Sequence, residues 1–260
     1  SSLLKEQAEG RSVSIVYSPL DALKLAQENP DQQIVFVGVG FETTTPLVAM
    51  AIKRAKALGL KNFSVFVAHK NMPGALETIV SDPSLRIDAL ILPGHVSTII
   101  GMKPYEFLAK KYGIPGVITG FEAVDVLQGV AMIVRQLHEG RAEIEMAYTR
   151  GVAPEGNQVA VAAINEVFHT VDATWRGLGV IPGSGYAIRP EFAEFDAFQR
   201  FEPAVEPTQE PKGCRCGDVL RGMMAPNECP LFRKVCTPEN PVGPCMVSSE
   251  GSCAAYFRYL

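Results

Sequence analysis

Short, almost purely apolar runs alternate along most of the chain with stretches where apolar residues recur every third or fourth position. The run Gln33 to Gly40, QIVFVGVG, is nearly continuous and predicts a strand covered on both faces. Phe63 to Ala68, Ile87 to Leu92 and Gly116 to Thr119 predict further strands, with shorter ones at Val13 to Tyr17 and Ala142 to Tyr148. The intervening segments carry helix signals. Ser18 reads as an N-cap, with Pro19 in the first position and Asp21 as capping-box partner, and opens a helix to about Asn29. Thr45 as N-cap with Pro46 after it predicts a helix to about Leu58.

Ala75 to Val80 and Pro104 to Tyr112 are also helical in pattern, and a longer helix runs from Glu122 to about His138 with Leu127, Val130, Val134 and Leu137 on one stripe. HKNMPG, PGHVSTIIG and Thr149 to Gly156 read as loops. A helix is expected from about Asn157 to Thr170, then a strand from Thr174 to Ile181 ending in PGSGYAI. This alternation predicts an α/β fold built on a parallel sheet. Gly-Phe-Glu follows an apolar strand and precedes a helix twice, at Gly40 to Glu42 and Gly120 to Glu122, so the expected layout is a pseudo-repeat of Rossmann-like units.

Beyond Arg189 the pattern breaks down into aromatic and acidic residues and then PAVEPTQEPKG, a connector that favours neither helix nor strand. A boundary is placed between Arg200 and Lys212. The expected organisation is residues 1–30 as the remainder of a first α/β domain, 31–200 as α/β, and 201–260 as a small module. All six cysteines lie in that module, between Cys214 and Cys253.

Composition changes the picture mainly by exclusion. With 20% charged residues and a net charge of -4, basic side chains are scattered, and no footprint for nucleic acid or an anionic membrane is present. No apolar run approaches the ~20 residues of a membrane helix, and no secretory pattern opens the chain. A cytoplasmic, reducing location is expected, where clustered thiols bind metal more often than they pair. Cys214, Cys229, Cys236 and Cys253 are separated by 14, 6 and 16 residues, intervals too long and irregular for a zinc ribbon. Four thiolates from separate loops suit an iron-sulfur cubane, with structural zinc and a disulfide-stapled module as alternatives. Cys216 and Cys245 are left over.

In an open parallel sheet, ligands gather beyond the carboxyl ends of the strands. Those ends carry Glu42 and Thr43 to Thr45, then His69, Lys70 and Asn71, then His95 and Ser97, then Glu122. Each has an ordinary reading as a cap or a satisfied loop residue. His95, between Gly94 and small polar residues, leaves most room for a ligand. No GxGxxG, GxxxxGK[ST], GxSxG or HExxH pattern occurs, which removes support for nucleotide, hydrolase and zincin readings.

VYSPLDAL, VGVGFETTTP, PGHVSTIIG, GFEAVDVLQG, IPGSGY, and GCRCGDVLRG through EGSCAAYF together resemble the HypD-type hydrogenase maturation proteins, collinearly over essentially the whole chain. The resemblance implies α/β domains of similar fold and a C-terminal [4Fe-4S] module held by Cys214, Cys229, Cys236 and Cys253. It implies work on an iron carrying cyanide and carbonyl ligands, with a HypC-type small chaperone and a cyanide-supplying HypE-type protein as partners. His95 and Glu250 match polar motif positions near the family's reaction site; Glu42 and His69 join them as strand-end candidates. Family members extend further at the N-terminus, where additional cysteines lie. The chain therefore reads as starting inside the first α/β domain, its strand-end groups forming one wall of a cleft, with exposed apolar surface where the remainder packs. The rival reading is an iron-sulfur oxidoreductase acting on a small substrate in that cleft.

Overall fold

The computed structural model describes residues 2–205 and 211–260. In chain order the elements are α1 (Leu3–Ala8), α2 (Pro19–Glu28), β1 (Ile34–Gly40), α3 (Thr45–Ala57), β2 (Phe63–His69), α4 (Met72–Val80), β3 (Leu90–Pro93), α5 (Gly94–Ile100) and α6 (Glu106–Tyr112). They continue as β4 (Gly116–Thr119), α7 (Ala123–Glu139), β5 (Ile144–Met146), α8 (Gln158–Val167), β6 (Phe168–Trp175), β7 (Gly179–Ile188) and α9 (Ala197–Phe201). The tail holds α10 (Cys216–Leu220), α11 (Pro244–Val247) and α12 (Ser252–Tyr259). Part of the connector expected over 200–212 lies outside the described residues. No helix among the described residues is long and apolar enough to cross a membrane.

The fold is mixed α/β with parallel pairing, but the strands form separate sheets. β1 and β2 pair in parallel, β3-β4-β5 form a second parallel sheet, and β6 and β7 make an antiparallel ribbon. Both Gly-Phe-Glu segments join a parallel strand to a helix, β1 to α3 and β4 to α7.

Three apolar clusters follow this division. The first joins Leu23 of α2, Ile52 of α3, Phe63 and Val65 of β2, Ile164 of α8 and Phe195. The second gathers Leu92, Tyr105, Leu108 and Ile118 around the second sheet. The third is the tail, where Phe232, Met246 and Ala254 pack among cysteines. The chain leaves the first cluster after β2, builds the second, and returns through α8 and β6.

Several sequence expectations need correction. Val13 to Tyr17 form no strand; Tyr17 is fully exposed. β1 is covered on one face only, since Val35, Val37 and Val39 are exposed while Ile34 and Phe36 pack inward. Thr45 is the first residue of α3 and not its cap: its buried hydroxyl donates to Phe41 O at 2.8 Å. PGHVSTIIG is helix α5, and HKNMPG enters α4 with Asn71 as its cap, accepting from the Gly74 N–H. The helix expected to Thr170 stops at Val167, because Phe168 begins β6. The strand expected over Thr174 to Ile181 is the turn of a hairpin, made by Gly177 and Gly179 in left-handed conformation.

α7 departs most from its pattern. Val124, Leu127, Val130, Val134 and Leu137 are exposed, whereas Asp125, Gly129 and Gln136 are buried. The helix approaches β4 through Gly129, where any Cβ would run into Thr119 Cγ2. Small and polar residues thus face the sheet. The apolar stripe faces outward.

Candidate functional site

The paired ends of β1 and β2, with Gly40 opposite His69, bring together the first group of strand-end residues. Glu42, in the turn after β1, is 1% exposed. Its Oε1 accepts the Met72 N–H at 3.0 Å, while Oε2 is buried with no hydrogen-bond partner among the described residues. Burial pushes its carboxyl up to about 7, against the opposing pull of backbone N–H bonds. Glu42 lines a cavity of about 870 Å³ together with Asn71, Ile100, Met102, Val161 and Tyr186.

His69 is also buried, and neither ring nitrogen has a hydrogen-bond partner among the described residues. Burial lowers it to about 4, so the imidazole is neutral at pH 7. It lies against Gly38, where a Cβ would come within 2.8 Å of the ring. No hydrogen bond or ion pair joins His69 to Glu42 among the described residues. Lys70, next along, sits over the Trp175 ring at 5.8 Å, and burial holds its amine below the ordinary lysine range. Trp175 in turn donates to Ser184 Oγ at 2.8 Å and packs 6.0 Å from Phe41.

His95 stands elsewhere, on the first turn of α5 at the end of the second sheet. It is exposed, with its ring edge-on to Phe121 at 4.8 Å and 6.3 Å from Tyr148. Beside it, Arg150 grips buried Asp125 through two bonds of 2.6 Å and reaches Glu122 at 3.1 Å. Glu122, the counterpart of Glu42 in the second Gly-Phe-Glu, is thus a solvent-facing cap. The expected single sheet edge is divided between two sheets, and Glu42 and His69 do not meet His95. Glu250 is exposed, and its backbone N–H donates to Ser248 Oγ at 3.1 Å; it touches none of the other three.

The cysteines converge as a group. Cys214, Cys229, Cys236 and Cys253 line one small cavity, walled also by Leu231, Phe232 and Met246. Gly243 permits the approach of Cys214, since any Cβ there would collide with its sulfur. The Val242 N–H points at Cys236 Sγ at 3.4 Å. Burial pushes the Cys253 thiol up to about 11, and the charges of Cys229, Cys236 and Cys214 push the same way. Among the described residues, no three His, Cys, Asp or Glu side chains are drawn together tightly enough to hold a metal ion. Cys216 and Cys245, left over in the spacing argument, form a disulfide in the wall of this cavity, so pairing and free thiols coexist in the tail. The signal that could have found the pair was the CRC doublet, whose two thiols face different partners.

The β6–β7 hairpin links the two regions. The Arg176 guanidinium donates to Val242 O at 3.2 Å, and Gly177 packs against Gly217 and Cys216, while Trp175 reaches Phe41 and Lys70. Neither this bridge nor the Asp125–Arg150 grip was visible in the spacing of the sequence.

The family model described as HypD, hydrogenase formation hypA family, matches residues 1–260. The chain belongs to this HypD family. It is 51% identical over 266 residues to the hydrogenase expression/formation protein HupD of Azotobacter chroococcum, covering 99% of this chain and 70% of that protein. The hydrogenase maturation factor HypD of Azotobacter vinelandii is 50% identical over 264 residues, again 99% of this chain and 70% of the relative. The HypD of Escherichia coli is 46% identical over 259 residues, 99% of this chain and 69% of the relative. As a HypD family member, the chain is assigned to hydrogenase maturation.

Proposed function

We propose that this chain is a scaffold and redox protein in assembling the Fe(CN)2CO centre of nickel-iron hydrogenases, working in the cytoplasm with a HypC-type chaperone and a HypE-type cyanide supplier. The observation that carries the redox half is the tail: four cysteines and the Cys216–Cys245 disulfide share one cavity. A [4Fe-4S] cluster held by Cys214, Cys229, Cys236 and Cys253 fits that donor set. Soft thiolates select such clusters, and the apolar wall and Val242 N–H are the surroundings that tune one. Thiols gathered at one cavity are stabilised as thiolates by a bound cation. When bound, the cluster supplies one-electron transfer.

The chain's own groups do the rest. The Cys216–Cys245 disulfide beside the cluster thiols is a two-electron acceptor, its S–S bond breaking to two thiols as two electrons and two protons are taken up. Arg176 and Trp175 tie that wall to the first sheet edge. The iron fragment is cargo, and exposed His95, beside Phe121 and Tyr148, is the strand-end group best placed to meet it on a partner. The two Gly-Phe-Glu turns support reading the parallel sheets as related Rossmann-like units, with 201–260 as the cluster module.

Anaerobic purification followed by iron and acid-labile sulfide analysis tests the cluster: about four of each per chain is expected. Zinc without sulfide would refute it. Cys229→Ser or Cys236→Ser should abolish the brown chromophore. Capture of the small chaperone at micromolar concentration tests the assembly role. The roomy cavity at Glu42 favours one rival, an iron-sulfur oxidoreductase acting on a small substrate, which clean failure of that capture would support.

A further inference from the structure

We propose that the cavity at Glu42 binds an organic cation, a primary ammonium or guanidinium group carried on a short apolar stem. Three observations converge on this. The first is an unmet acceptor: Glu42 lines an 870 Å³ cavity, and its buried Oε2 has no partner among the described residues. A buried carboxylate oxygen without a donor is costly, and a cation donor satisfies both its charge and its lone pairs.

The second is the charge of the wall. Glu42, Glu106 and Glu155 line it against one amine, Lys103. Glu106 is already met by Lys110 at 2.6 Å, and Glu155 has no ion pair among the described residues. The balance is negative, which disfavours an anion. The third is shape: Ile100, Met102, Val161 and Ile164 give apolar sides. An alkyl stem would cover them while its charged end meets Glu42. Tyr186 lines the same cavity and adds a ring face that attracts cations.

The groups near Glu42 are Tyr105 and Tyr186, whose hydroxyls are pushed up by burial first and by the Glu42 charge second, the neutral His69 at the adjoining strand end, and the rim charges Lys103, Glu106 and Glu155. Glu42, its carboxyl pushed up to about 7 by burial, changes charge near neutrality. Cation affinity should therefore rise as Glu42 ionises, by about tenfold from pH 6 to pH 8. The site uses none of the tail cysteines, so its test is independent of the cluster reading.

The experiment is calorimetric titration of the full 260-residue chain with butylguanidinium and with butylamine, using butyramide and butyrate as neutral and anionic controls. One saturable cation site with the tenfold pH dependence is expected. Glu42→Gln, which keeps an acceptor for the Met72 N–H, should weaken binding at pH 8 at least tenfold and remove the pH dependence. Val161→Phe leaves the carboxylate and crowds the apolar side of the cavity, and should weaken binding of both cations even if Glu42→Gln fails to fold. An acetylated Gly-Arg-Gly peptide separates the sources: tighter binding than butylguanidinium assigns the cation to a side chain of another protein, weaker binding to a free amine. Equal binding by Glu42→Gln, preference for butyramide or butyrate, or no saturable binding of either cation overturns the proposal.

Discussion

Glu42→Gln is the most informative single change, because one carboxyl couples burial, charge and the neighbouring cavity. Carrying a carboxyl from its ordinary 4.5 to about 7 corresponds to roughly 3 kcal/mol, at 1.36 kcal/mol per tenfold change in proton affinity. The folded state holds the proton more tightly than the unfolded one. Stability from this group is therefore complete below about pH 4.5 and is lost as pH rises through about 7. About 2.5 kcal/mol of that loss falls between pH 5 and pH 8.

Glutamine cannot ionise, and its carbonyl can still accept the Met72 N–H, but its amide is left without a partner at a pH-independent cost of about 1 kcal/mol. The quantity to measure is thus the difference between variant and wild type at two pH values, by urea denaturation with thermal melts as a check. Glu42→Gln should gain about 2.5 kcal/mol relative to wild type on going from pH 5 to pH 8, a relative shift of about 5–10 °C in the melting point. A variant-minus-wild-type difference that stays constant across this range would refute the assignment of a buried, hard-to-ionise carboxyl. Adding butylguanidinium at pH 8 should narrow the difference by stabilising only the wild type.

Other expectations follow the same reasoning. His69 has its proton affinity lowered by burial, so the stability it supports is present above about 6.5 and lost as pH falls towards about 4; His69→Met should remove about 1.8 kcal/mol of acid sensitivity between pH 7 and pH 5, read from denaturation at those two values. Gly129→Ala should destabilise by about 1–3 kcal/mol despite alanine's helix preference, and Thr119→Ser should restore much of the loss by removing the opposing methyl. Reduction of the Cys216–Cys245 bond, which closes a separation of 29 residues, should cost the tail about 3–4 kcal/mol, followed by protease sensitivity of residues 211–260 with and without reductant.

The sequence by itself determined the local elements and the identity of the thiol set. QIVFVGVG, FSVFVAH and GVIT are strands, as their apolar runs predict, and Pro19 and Pro46 mark helix starts through constraints carried within a few residues. The gathering of the cysteines into one tail module was legible from their positions along the chain. What depended on distant segments was not. The three sheets, the outward-facing stripe of α7 and the return of α8 and β6 to the first core arise from packing between residues far apart in the chain, which periodicity cannot encode. The same reason separates Glu42 from His95 although both follow strands, buries one Gly-Phe-Glu glutamate and exposes the other, and pairs Cys216 with Cys245. Burial and partnership are properties of the assembled neighbourhood, and only the tertiary structure supplies it.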